Sequence, residues 1–115
     1  MYNRVNVRGG YKMSDLTIRK LQAYIKSKDF DPSRKPDYFY KLVEEVGEVA
    51  RQMHDERRMG SDGIKGTLEE ELYDVMYYVL ALANLYEIDL EQCAFLKEEM
   101  NQKKYNNSIS LAEFK

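Results

Sequence analysis

The sequence predicts an all-α chain folded as a bundle of four helices. Beyond Tyr11 the apolar residues recur at helical spacing, with little of the alternation that strands require. The only two prolines, Pro32 and Pro36, fall close together and interrupt the chain at one place. The connections between periodic stretches are short, which favours helices packed against their sequence neighbours.

Residues 1–12, "MYNRVNVRGGYK", have no helical period and contain a Gly-Gly pair. With Met13 they are expected to form a flexible arm (1–13), either a late addition to the domain or a strand used in assembly. Met13-Ser14-Asp15 reads as a second translation start followed by capping residues. Helix 1 is expected from about Asp15 to Ser27, with Leu16, Ile18, Leu21, Tyr24 and Ile25 as its apolar face. "KDFDPSRKPD" breaks the chain and ends where Pro36 and Asp37 can open helix 2, which runs to about Arg58. The glycine-rich "MGSDGIKG" is the clearest loop, and it lacks the order of a P-loop. Thr67 and Glu70 form a T-x-x-E capping box that starts helix 3, expected to reach about Tyr86. Asp89 with Gln92 is a weaker start for helix 4, which ends near Tyr105. The helical domain is therefore 14–106, followed by a tail, 107–115, that frays or packs on a partner.

A chain of 115 residues is one domain, large enough for a core and small enough to gain from oligomerisation. Its 43% hydrophobic and 33% charged residues fit a soluble globular protein. A net charge of -2 predicts neither DNA or RNA binding nor attraction to anionic membranes. No apolar run approaches the roughly 18 residues that span a bilayer, and no secretory h-region opens the sequence. Cys93 is alone, so no intramolecular disulfide can form; a cytoplasmic location is expected.

The chemistry lies in two acidic sets. "LVEEVGEVA" (Leu42 to Ala50) aligns without a gap on "LEEELYDVM" (Leu68 to Met76). Leu42, Val46 and Val49 match Leu68, Leu72 and Val75 as expected core positions. Glu44, Glu45 and Glu48 match Glu70, Glu71 and Asp74. Residues three apart share a helix face, so Glu45 stacks on Glu48 and Glu71 on Asp74, each pair on the same side of its core stripe. If helices 2 and 3 form an antiparallel hairpin, the two pairs converge.

Four converging carboxylates repel one another unless protonated or neutralised. All-oxygen ligands suit hard cations, Mg²⁺ first and Mn²⁺ as a substitute. Magnesium commonly shares its shell with substrate phosphates, so the chemistry indicated is metal-assisted hydrolysis of a phosphate ester or anhydride. For a single E-x-x-E pair the competing reading is a solvated helix face. The second pair in the same frame weighs against it. Gly47 does too, since glycine inside a helix costs about 1 kcal/mol relative to alanine. Either a close neighbour or ordinary helix packing would explain that glycine.

"EEVGE" (Glu44 to Glu48) followed by "ELYD" (Glu71 to Asp74) resembles the E-E-x-x-E … E-x-x-D signature of the MazG-like all-α nucleoside triphosphate pyrophosphohydrolases. The similarity covers helices 1 to 4, about Ser14 to Tyr105. It implies cleavage between the α and β phosphates of a nucleotide, giving a monophosphate and pyrophosphate, in a nucleotide-pool housecleaning role. It also implies magnesium held by Glu45, Glu48, Glu71 and Asp74. Glu44 and Glu45 are the candidates for activating the attacking water.

On helix 4, Lys97, Asn101 and Lys104 share one face, with Lys103 as an alternative to Lys104. This resembles the family's C-terminal basic segment, which implies contact with the nucleotide phosphates. Tyr78 lies four residues after Asp74 and is a candidate for stacking on the base or closing on the sugar; a core tyrosine is the competing reading. Lys41 is a phosphate contact or a helical ion pair. His54, the only histidine, lies beyond the acidic run and has a surface or core role; the E-x-x-H pairs of a di-iron bundle are missing. Apolar surface such as "VMYYVLALANLY" exceeds the needs of one small bundle, and the resemblance implies a homodimer or homotetramer. The alternatives are the same fold acting on phosphoribosyl-ATP or specifically on dUTP or dCTP, and a non-catalytic helical regulatory module.

Overall fold

The computed structural model describes residues 7–8, 11–12 and 15–114, the first four as backbone alone. Four α-helices follow one another among them: α1 (Ile18–Lys28), α2 (Lys35–Asp55), α3 (Leu68–Leu85) and α4 (Leu90–Lys104). The all-α class holds with one small addition. Strands β1 (Val7–Arg8) and β2 (Tyr11–Lys12) pair antiparallel, Val7 opposite Lys12 and Arg8 opposite Tyr11. Strands this short leave no alternation to detect in sequence. The rest of the expected arm, and Ser14, lie outside the described residues.

Local hydrogen bonds set the helix ends. The cap of α1 comes from Thr17 rather than Asp15: its Oγ1 accepts the Lys20 N–H at 3.0 Å, satisfying a first-turn donor. In the breaker segment the Asp31 carboxylate accepts from the Ser33 N–H (3.1 Å) and hydroxyl (2.6 Å), folding Pro32–Arg34 into a 3-10 turn. Pro36 follows in the first turn of α2, where a missing N–H leaves no hydrogen bond unmade. That helix stops at Asp55, short of the expected Arg58. Glu56 adopts a left-handed φ of 53° and turns its N–H onto the Gln52 carbonyl.

The expected capping box opens α3. Thr67 Oγ1 accepts the Glu70 N–H at 3.3 Å, while Glu70 Oε1 reaches one residue beyond the cap to accept the Gly66 N–H at 2.7 Å. Gly66 itself has φ 75°, a conformation glycine adopts without strain. The α2–α3 connection closes through the Leu68 N–H on the Arg57 carbonyl at 2.8 Å. Glu69 fastens the loop, accepting from Arg58 Nε and from the Met59 N–H, each at 2.9 Å.

The chain divides into two compact units, residues 25–88 and residues 1–24 with 89–115. In the first, α2 and α3 pack as an antiparallel hairpin, and Ile25, Leu80, Ala81 and Leu85 supply the most buried apolar side chains. In the second, Asp89 caps α4 through the N–H groups of Glu91 and Gln92 (3.1 and 3.2 Å). Arg19 reaches Asp89 at 2.7 Å and Glu91 at 3.5 Å, and the buried Gln22 accepts the Leu90 N–H at 2.9 Å. The tail turns through a short 3-10 helix, Leu111–Glu113, against α4 of its own chain.

Two expectations about burial need correction. Leu16, Ile18 and Tyr24 of the helix 1 face are exposed, leaving Ile25 fully buried and Leu21 half-buried. The expected core positions Val46 and Leu72 are 51% and 53% exposed. The stripe of α2 that is covered runs through Tyr38, Leu42, Glu45, Val49 and Gln52, alternating four and three residues. Val46 and Leu72 each follow a seam residue by one position, roughly 100° round the helix. The seam therefore contains the carboxylates, and the two aliphatic residues turn outward.

Candidate metal centre

Glu45, Glu71 and Asp74 are the residues that the α2–α3 seam brings together. Each offers a carboxylate oxygen, and these oxygens all lie within 4.8 Å of one another. The three side chains are half-buried. Their meeting follows from the sequence frame: Glu71 and Asp74 stack one helical turn apart on α3, and Glu45 faces them from α2. Half-buried oxygen donors this close together could hold a metal ion.

Electrostatics without a cation record the strain of this arrangement. Burial first, then Asp74 and Glu71, pushes the Glu45 carboxyl up to about 7. Burial and Asp74 also raise Glu71, while its hydrogen bond with Glu45 opposes that rise. Physically, carboxylates this near one another cannot all ionise at little cost, so the set titrates together, with Glu45 raised most. A divalent cation would remove that cost by neutralising the excess negative charge.

Glu48 stands beside the triad rather than inside it. Its charge acts on Glu71, and its own carboxylate lies 3.8 Å from Arg51. Glu44 points elsewhere, exposed and paired with Lys41 at 3.4 Å. Tyr78 is half-buried and its hydroxyl is raised by burial, with Lys41 opposing. This tyrosine borders two cavities. One, of about 350 Å³, is lined by Lys28, Glu45, Tyr73, Asp74, Tyr77 and Tyr78. The other, of about 140 Å³, is lined by Asp29, Arg34, Asp37, Tyr38, Lys41 and Tyr78.

The candidates on α4 belong to the other unit. Lys97 and Lys104 are exposed there, with the Lys104 ammonium 5.2 Å from the Tyr105 ring centre. Asn101 is 3.5 Å from Glu98 and lines a cavity of about 450 Å³ against the C-terminal segment. His54 is exposed, 3.1 Å from Asp55. Lys28 lines the larger cavity and Asp29 the smaller, although both fall in the segment expected only to break the chain. The sole hint was a charged pair placed where a helix had to stop.

Residues 35–105 match the MazG nucleotide pyrophosphohydrolase domain, a stretch that carries both acidic sets. The chain belongs to that family. Crystal structures of iMazG from Vibrio DAT 722 are similar to this MazG chain at 42% identity. One has a TM-score of 0.74 over 80% of this chain and 100% of that one; another has 0.72 over 76% and 99%. Among curated proteins, the dCTP pyrophosphatase 1 of Bos taurus is 32% identical over 81% of this MazG chain, which spans 60% of that protein's length. A Bacillus subtilis protein, YpjD, is 34% identical over 70% of this chain and 78% of its own. No described helix is long and apolar enough to cross a membrane.

Proposed function

We propose that this chain is a Mg²⁺-dependent nucleotide pyrophosphohydrolase that cleaves a nucleoside or deoxynucleoside triphosphate to the monophosphate and pyrophosphate. The observation that carries the reading is the meeting of Glu45, Glu71 and Asp74 in the seam of a MazG-family hairpin. The residues fit the cation, because the donor set is all oxygen, its oxygens lie within 4.8 Å of one another, and their mutual repulsion raises Glu45. Glu45, Glu71 and Asp74 would hold it, with Glu48 completing the set once freed from Arg51. Bound there, the cation would activate water and offset charge developing on the phosphate oxygens.

The side chains around the acids have complementary tasks. Lys28 supplies positive charge at the larger cavity, which Glu45 and Asp74 line and where an anionic phosphate chain would lie; Lys41 lines the smaller cavity and is a further phosphate candidate from the side of Tyr78. Lys97, Asn101 and Lys104 are further candidates for the phosphates. Glu45 lies among the acids and Glu44 does not, so Glu45 is the favoured proton acceptor and Glu44 orients Lys41. Tyr78, shared by both cavities, packs against the base or sugar. The names of the dCTP pyrophosphatase relatives put a deoxycytidine nucleotide first among the substrates to try. Exposed apolar residues on the outer faces of α2 and α3, among them Val43, Val46, Met53, Leu72, Met76 and Val79, support a homodimer or homotetramer. A cytoplasmic housecleaning role completes the reading.

The test is to incubate the protein with a nucleotide panel and Mg²⁺ and to measure pyrophosphate and monophosphate release. Glu48→Gln and Asp74→Asn should each abolish turnover while leaving helicity intact. Turnover retained by both would remove the metal assignment. A protein that neither turns over any nucleotide nor binds metal by calorimetry is instead a helical regulatory module.

A further inference from the structure

Asp29 is a half-buried carboxylate that the metal reading leaves without a task. It sits just past the end of α1, and each of its oxygens is held by a phenol from a different helix. Tyr38 of α2 donates to Oδ1 at 2.5 Å, and Tyr77 of α3 donates to Oδ2 at 2.7 Å. Both phenols are raised by burial and by this carboxylate, Tyr38 to about 12, so they remain donors at neutral pH. Fixed between two helices, the carboxylate cannot swing to follow a ligand. It lines the smaller cavity with Arg34, Lys41 and Tyr78, and Tyr78 alone continues into the larger cavity that holds Glu45 and Asp74.

A carboxylate oxygen has two acceptor directions, and each tyrosine occupies one, so Asp29 retains acceptor capacity. An acceptor-only group fixed in a small cavity selects ligands that present N–H hydrogens. We propose that Asp29 reads the nucleobase, accepting a hydrogen bond from an exocyclic amino group, so that cytosine, adenine and guanine nucleotides are preferred over those of uracil and thymine. Uracil and thymine present one imino hydrogen flanked by two carbonyl oxygens, and those oxygens meet the carboxylate repulsively. The triphosphate then runs past Tyr78 toward the acidic triad. This inference rests on the nucleotide reading above and adds the feature by which bases are told apart.

The test compares pyrophosphate release from dCTP, dATP, dGTP, dUTP and dTTP with Mg²⁺, alongside calorimetric binding of dCMP and dUMP. The amino-bearing bases should lead by about 10- to 100-fold in kcat/KM, the scale of a charge-assisted hydrogen bond gained or lost. Asp29→Asn keeps an acceptor oxygen for one of the two tyrosines and offers an amide N–H to a carbonyl, so the dCTP:dUTP ratio should collapse toward unity or invert. Tyr77→Phe removes one of the two restraints and should raise KM for dCTP more than it lowers kcat. Equal use of dCTP and dUTP by the wild-type protein overturns the proposal, as does an unchanged ratio in folded Asp29→Asn. If that variant does not fold, an unchanged KM in Tyr77→Phe overturns it too. Should no triphosphate be hydrolysed, the pyrophosphohydrolase reading fails separately, and the preference between dCMP and dUMP still decides the role of Asp29.

Discussion

Replacing Glu71 by glutamine should make the metal-free protein more stable while destroying its response to magnesium. Two unit charges separated by the 4.8 Å that bounds the triad repel by about 3.5 kcal/mol at an effective dielectric of 20 and by about 0.9 kcal/mol in water. The half-buried position and solvent screening place the real value toward the lower figure. A gain of about 1 kcal/mol, or roughly 4 °C in Tm for a domain of this size, is expected at pH 8 in chelator. The gain should shrink at pH 5. The folded value of Glu45, near 7, lies above its ordinary 4.5, so its contribution to metal-free stability is complete below about 4.5 and is lost as pH rises through 7. At pH 5 the proton has already relieved the repulsion that Glu71→Gln removes. Thermal melts by circular dichroism at both pH values, with and without Mg²⁺, measure all of this. A variant less stable than the wild type at pH 8, or one that Mg²⁺ stabilises as much as the wild type, refutes the argument.

Three further perturbations follow from particular residues. A Cβ built on Gly47 meets nothing within 4 Å, so Gly47→Ala should raise stability by about 0.5–1 kcal/mol through helix propensity; a measured loss means that a second chain occupies that space. Thr67→Ala removes the cap of α3 and should cost about 1 kcal/mol in denaturant melts. Arg58 and the Met59 N–H hold Glu69 down at about 2. Its contribution to stability is therefore present above pH 4.5 and lost as pH falls through 2, and an NMR titration midpoint at the ordinary carboxylate value would contradict the loop clasp.

Features decided by neighbouring residues were legible in the sequence. The T-x-x-E box, the Asp89 cap, the glycine loop and the frame shared by the two acidic sets depend on contacts a few positions apart. Periodicity gives a face but not its angle. It assigned Val46 and Leu72 to the core because it assumed that the most apolar stripe faces inward, whereas carboxylates occupy the seam. The cap of α1 was misplaced because several capping residues stand in a row before it, and only geometry selects Thr17. Asp29 was invisible as a functional residue, since its tie to Tyr77 spans 48 positions. For Gly47, the close neighbour considered from sequence is missing within the chain.

The bond from the Leu68 N–H to the Arg57 carbonyl has a consequence for how this chain tolerates change. Together with the Glu69 clasp on Arg58 and Met59 and the packing of α2 on α3, it holds the axial offset between the two helices. A slip of one residue would carry Glu71 about 1.5 Å along its helix and roughly 100° around it, out of reach of Glu45. Insertions between Met59 and Gly66 leave that offset untouched as long as the closing bond survives, because a longer flexible loop costs little. A deletion that shifts the closure dismantles the site even if both helices stay folded. The connection can thus vary freely in length but not in where it shuts.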